Sequence, residues 1–117
     1  MQIKREINEI LIRAIGDEYL LFVFGSFAKG DNDRESDIDL ALYRDKKITS
    51  GEIAAIKEVL NKSVHTLREI DLVNLTDSVS KELLENILKE GIVWHGMKNS
   101  SELMKDLKKR LTNTERL

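Results

Sequence analysis

The sequence contains no cysteine and no proline. Without thiols there is no disulfide framework, no thiolate nucleophile and no zinc–thiolate site. That fits a reducing compartment, and a cytoplasmic location is the expectation. Without proline, no helix is interrupted by a missing N–H. Long apolar runs are lacking as well. The longest, Tyr19 to Phe24, is far too short to cross a bilayer, so no membrane role is expected. The N-terminus scatters Lys4, Arg5, Glu6 and Glu9 among apolar residues, which is not the pattern of a secretion signal. An excess of charge of one sign is also missing. Nineteen Lys and Arg against 21 Asp and Glu leave a formal net charge of −2, so nothing suggests a surface that coats nucleic acid. We find no internal repeat and no low-complexity tract.

What is present suits one domain. The chain has 117 residues, 41% hydrophobic and 34% charged, enough for a single core of modest size. Residues 3–15 place Ile3, Ile7, Ile10, Leu11 and Ile15 at helical spacing, and Gly16 follows as a stop. Thr49 and Glu52 form a capping box for a helix to about Lys62, with Ile53, Ile56, Val59 and Leu60 inward and Ala54 and Ala55 allowing close packing. Asp77 or Ser78 caps a helix from about Val79 to Glu90, which Gly91 ends. Ile92 to His95 reads as a short last strand. Trp94 and His95 are packing residues first, although an aromatic face can also stack on a base. The last helix spans about 99–112, with Leu103, Leu107 and Leu111 in one stripe. That stripe has two readings, packing on its own sheet or docking on a partner. His65 stands alone in a connecting segment and reads as a surface residue.

The stretch from Phe24 to Leu42 carries the chemistry. Tyr19–Phe24 reads as a buried strand, and Gly25 stops it. Glycine permits a sharp turn and the close approach of a ligand. Ser26 adds a hydroxyl and opens a short helix to Lys29, whose first N–H groups favour an anion. The polar loop to Ser36 follows, with Lys29 and Arg34 as cations within reach of a phosphate. Asp37 and Asp39 then sit two apart in a strand-like segment, Asp37 to Tyr43, so both face the same way. Their Cα atoms are roughly 6.5 Å apart at ~3.3 Å per residue. Two carboxylates at that spacing suit Mg²⁺, which takes oxygen ligands. Taken singly, each piece has an ordinary explanation: a strand-to-helix turn, or two solvated acids. Together they are a much rarer coincidence. A further segment, Glu69 to Leu75, sets Asp71 among Ile70, Leu72 and Val73, with Glu69 two positions earlier on the same face.

Gly25-Ser26 followed by Ser36-Asp37-Ile38-Asp39-Leu40 resembles the signature of the DNA polymerase beta-like nucleotidyltransferases. The small size is similar to the minimal nucleotidyltransferase (MNT) branch, whose members are often paired with a HEPN-domain protein as antitoxin. The resemblance covers about residues 20–95. It implies an α/β (α+β) fold, a small mixed β-sheet with flanking helices. It implies two Mg²⁺ ions, a nucleoside triphosphate such as ATP as substrate, and a third carboxylate on a neighbouring strand. Asp71 fills that place, with Glu69 as the competitor. The site expected from the resemblance is therefore Asp37, Asp39 and Asp71 for metal and catalysis, with Gly25, Ser26, Lys29 and Arg34 for the nucleotide.

By resemblance the acceptor is a hydroxyl of a HEPN toxin, which receives AMP and is silenced. Two other readings stay open: an antitoxin that neutralises its partner by binding alone, and a transferase acting on a small aminoglycoside-type alcohol, with its acceptor pocket supplied by a dimer mate. A homo- or hetero-oligomer is an expectation of these readings.

Overall fold

The computed structural model describes residues 2–30, 37–96 and 100–115. The elements run α1 (Gln2–Ile15), β1 (Leu20–Phe24), α2 (Gly25–Ala28), β2 (Ile38–Tyr43), α3 (Ser50–Ser63), β3 (Ile70–Asn74), α4 (Lys81–Glu90), β4 (Ile92–His95) and α5 (Ser100–Glu115). Four strands form one mixed sheet in the order β3-β2-β1-β4. β1 pairs antiparallel with β2 and with β4, while β2 and β3 run parallel. A parallel pair needs a long crossover, and α3 provides it.

The sheet divides the core in two. Leu21, Val23, Ile38, Leu40, Leu42, Ile70 and Leu72 lie on the face covered by Ile7 and Leu11 of α1 and Ile56 and Leu60 of α3. Leu20, Phe22, Ala41 and Tyr43 lie on the other, beneath Leu84 and Ile87 of α4 and Leu103 and Leu107 of α5. The period of two in β1 and β2 is thus used on both faces, because helices cover both.

Most sequence expectations hold, with boundary shifts. Thr49 and Glu52 make the reciprocal capping box. Gly16 adopts φ 82°, the left-handed conformation of a helix stop. The cap of α4 is Ser80, which accepts from Leu83 N–H at 3.1 Å, rather than Asp77 or Ser78. Asp77 instead accepts from the neighbouring Ser78 N–H and closes a turn of its own. Val59 is 45% exposed, contrary to its expected inward place, and Ala54 and Ala55 are exposed too. The helix lies along β3, an edge strand, and fully covers only Ile56 and Leu60. The α5 stripe packs on its own sheet through Leu103 and Leu107. Residue 99, where that helix was expected to start, and the Leu111 side chain lie outside the described residues. Trp94 packs edge-on against Phe27, and His95 stacks on Tyr19.

Side-chain amides fix β3. Asn61 of α3 donates to the Ile70 carbonyl and accepts from the Ile70 N–H, both at 2.8 Å. At the other end Asn74 donates to the Ile48 carbonyl and accepts from Thr76, whose hydroxyl takes the Ile48 N–H. Arg110 of α5 donates to the carbonyls of Leu75 and Thr76. Asn61→Ala is expected to lower the urea midpoint by the equivalent of about 1–3 kcal/mol, because Ile70 then loses both partners.

A second anchor is pH-dependent. Glu6 of α1 accepts from the His65 backbone N–H and pairs with its imidazole. The hydrogen bond from His65 holds the Glu6 carboxyl below its ordinary 4.5, and the same bond holds His65 above its ordinary 6.5. A raised histidine stabilises below its unfolded value and loses the effect as pH rises through its folded value. A lowered glutamate stabilises above its unfolded value and loses the effect as pH falls through its folded value. The contribution is therefore complete between 4.5 and 6.5. His65→Gln is expected to be destabilised most in that window and to converge on the parent above it, as read by denaturation midpoints across pH.

Candidate functional site

The site is built from the ends of three strands. In the register of the sheet Phe24 of β1 stands opposite Asp39 of β2, and Asp39 stands opposite Asp71 of β3. Neighbouring strands are ~4.8 Å apart, so the turn after Phe24, Asp39 and Asp71 form one row across the sheet. Asp37, just before β2, shares the face of Asp39. The intervening Ile38 is fully buried on the opposite face. This alternation separates acid from core within consecutive residues.

Asp39 is half-buried, and burial pushes its carboxyl above the usual carboxylate range, with the negative charges of Asp71 and then Asp37 adding to the shift. The three acids thus occupy one electrostatic neighbourhood. Among the described residues, however, no three acidic or histidine side chains stand as a ready metal-ligand set. The Asp71 carboxylate pairs instead with Lys57 Nζ at 3.0 Å.

The Gly-Ser turn lies against this row. Gly25 has φ 73°, and a Cβ placed there would collide with Asp39 Oδ2. Glycine is therefore required twice, for its conformation and for the room it leaves beside a carboxylate. No side chain caps α2, and Ser26 is exposed. Phe27 fixes the short helix from below, packed on the α1–α3 core and edge-on to Trp94. The Arg68 guanidinium lies 5.1 Å from the centre of the Phe27 ring.

The remaining candidates fare differently. Lys29 pairs with Glu90 at 3.6 Å on the exposed surface. Arg34 and Ser36 lie outside the described residues. Glu69 precedes β3, is exposed, and gives its carbonyl to the Ile38 N–H. The register thus sets Asp71, and not Glu69, beside Asp39.

Sequence reading missed Lys57 and Arg68. A signal for Lys57 was present: it stands in step with Ile53, Leu60 and Val64, a charge inside an inward-facing stripe. Arg68 carried none, since its neighbour Phe27 is far away in the chain.

The donor set suits a hard divalent ion. All three candidate ligands are carboxylates, the ligand type Mg²⁺ takes. Gly25 leaves space beside one of them, and their mutual repulsion is what a bound cation relieves.

The profile of a family described as polymerase beta, nucleotidyltransferase, matches residues 5–100. No curated protein matches the sequence with significance. Solved structures match the fold. One is a toxin–antitoxin with AMP-PNP, at TM-score 0.77 and 23% identity, over 97% of this chain and 86% of that one. Another is a tri-AMPylated Shewanella oneidensis HEPN toxin in complex with MNT antitoxin, at TM-score 0.72 and 21% identity, over 99% and 87%. A third is a toxin–antitoxin MntA-HepT, at TM-score 0.70 and 20% identity, over 97% and 85%.

Gly25→Ala is expected to cost roughly 2 kcal/mol, from left-handed backbone strain and the collision with Asp39. In an Asp39→Ala background that cost should fall by about 0.5–1 kcal/mol, because the collision disappears while the strain remains. A double-mutant cycle in urea measures both.

Proposed function

The chain belongs to the polymerase beta nucleotidyltransferase family, and from that premise we propose that it transfers AMP from ATP to a hydroxyl of a HEPN toxin and so acts as its antitoxin. The observation that carries this reading is the row of Asp39 and Asp71 beside the Gly25 turn, with Asp37 on the same face. The likeness in fold to toxin–antitoxin complexes, one with AMP-PNP and one with a tri-AMPylated toxin, supports the choice of nucleotide and acceptor.

In this reading Asp37, Asp39 and Asp71 hold Mg²⁺. Bound there, magnesium would neutralise the triphosphate and the leaving pyrophosphate and lower the pKa of the acceptor hydroxyl. The protein supplies position. Gly25 lets the phosphates approach the backbone, Ser26 offers its exposed hydroxyl, and the first N–H groups of the turn face the anion. Lys29 reaches the triphosphate after leaving Glu90, an exposed pair that holds it only weakly. Arg34, which follows Lys29 in the sequence, is proposed to serve the same charge. The acceptor oxygen attacks the α-phosphorus in line. The bond from that phosphorus to the bridging oxygen breaks, pyrophosphate departs, and the hydroxyl proton is released.

The test is incubation with α-labelled ATP, Mg²⁺ and the HEPN partner. Label should appear on the partner and fall by a factor of roughly 10² or more with Asp39→Ala, the scale of losing a group that stabilises the transition state. Neutralisation of the toxin that survives Asp37→Ala combined with Asp39→Ala would instead establish an antitoxin by binding. Label appearing only on an aminoglycoside-type alcohol would move the acceptor to a small molecule.

A further inference from the structure

Lys57 belongs to α3, a helix that otherwise serves the core. Its Nζ stands 3.0 Å from Asp71 Oδ1. One helical turn further on, Asn61 clamps both backbone groups of Ile70, the residue before Asp71. The helix is thus tied to the strand beside the acid, and the lysine stem is aimed by that tie. Among the described strands β3 lies at the edge of the sheet. The charges of Glu69 and Asp37 also act on the ammonium, after that of Asp71. The other described lysine pairs differ. Lys62–Glu58 and Lys81–Glu85 are neighbours on one helix, and Lys29–Glu90 joins two exposed ends. Among the described residues, Lys57 is the lysine paired with an acid of the site.

The pair is not a buried structural bridge. The two side chains are 40% and 51% exposed. Exposed pairs hold weakly, so this one is exchangeable. Its positive charge beside Asp71 partly offsets the repulsion that Asp71 exerts on Asp39.

We propose that Lys57 is a resident countercation of the acidic row, which occupies Asp71 when no metal ion is bound and competes with an incoming divalent cation for it. This rests on the assignment of Asp37, Asp39 and Asp71 as the cation site. The consequence is a site that binds metal poorly by itself. The triphosphate, by adding negative charge, tips the competition toward the metal and offers the displaced ammonium a new partner.

Mn²⁺ is the probe, with binding read by titration calorimetry and by the thermal midpoint on the full chain, without nucleotide. Lys57→Met and Lys57→Gln should each bind Mn²⁺ about three- to tenfold more tightly than the parent, the scale of removing one unit charge from the neighbourhood of a partly solvated ion. Lys57→Arg should stay near the parent. Both neutral variants should also gain more in thermal midpoint on adding Mn²⁺. Unchanged or weaker Mn²⁺ affinity in both folded neutral variants, with parent binding still abolished by Asp39→Asn, overturns the role of Lys57 alone. Mn²⁺ binding that Asp39→Asn leaves unaltered, or no binding by the parent and the neutral variants, overturns the cation site and this inference with it.

Discussion

The hydrogen-bonded register between β2 and β3 is the constraint on which the site depends. It sets Asp39 against Asp71, and the antiparallel register of β1 sets the Gly25 turn against Asp39 from the other side. A slip by one residue would put Ile38 and Ile70 where the partly exposed acids stand and the acids into the α1–α3 core. Hydrophobic burial of those isoleucines therefore holds the carboxylates where they are. The same alternation that builds the sheet builds the acidic row.

That arrangement works against stability locally. Three acids at the strand ends repel one another, and the Asp39 carboxyl bears the effect of burial as well. The surrounding structure offsets this with rigid supports. Asn61 and the Asn74–Thr76–Ile48 network clamp β3 at both ends, and Arg110 covers the carbonyls beyond it. Locally unfavourable charge on a well-supported scaffold is the usual mark of a functional site.

The two faces of the sheet divide the labour. α1 and α3 close one core and bring Lys57 to the edge of the acidic row, while α4 and α5 close the other. α5 is thus part of the fold through Leu103 and Leu107, which pack on its own sheet.

Much of this was written in short-range pattern. The strand alternation of Ile38, Leu40 and Leu42, the capping box at Thr49, the stop at Gly16 and the Gly25–Ser26 turn depend on neighbours within a few residues. The spacing of Asp37 and Asp39 did too, so most of the fold and half of the site were legible before any coordinates. Val59 and the α4 cap were misplaced because several local solutions were nearly equal and packing chose among them. The sequence by itself determined which residues could form an acid-bearing strand after a glycine turn, because backbone periodicity and turn chemistry are local. Only the tertiary structure decided that Asp71 rather than Glu69 meets Asp39, and that Lys57 meets Asp71. Those contacts join segments distant in the chain, and their choice is settled by strand register and by which helix covers which edge.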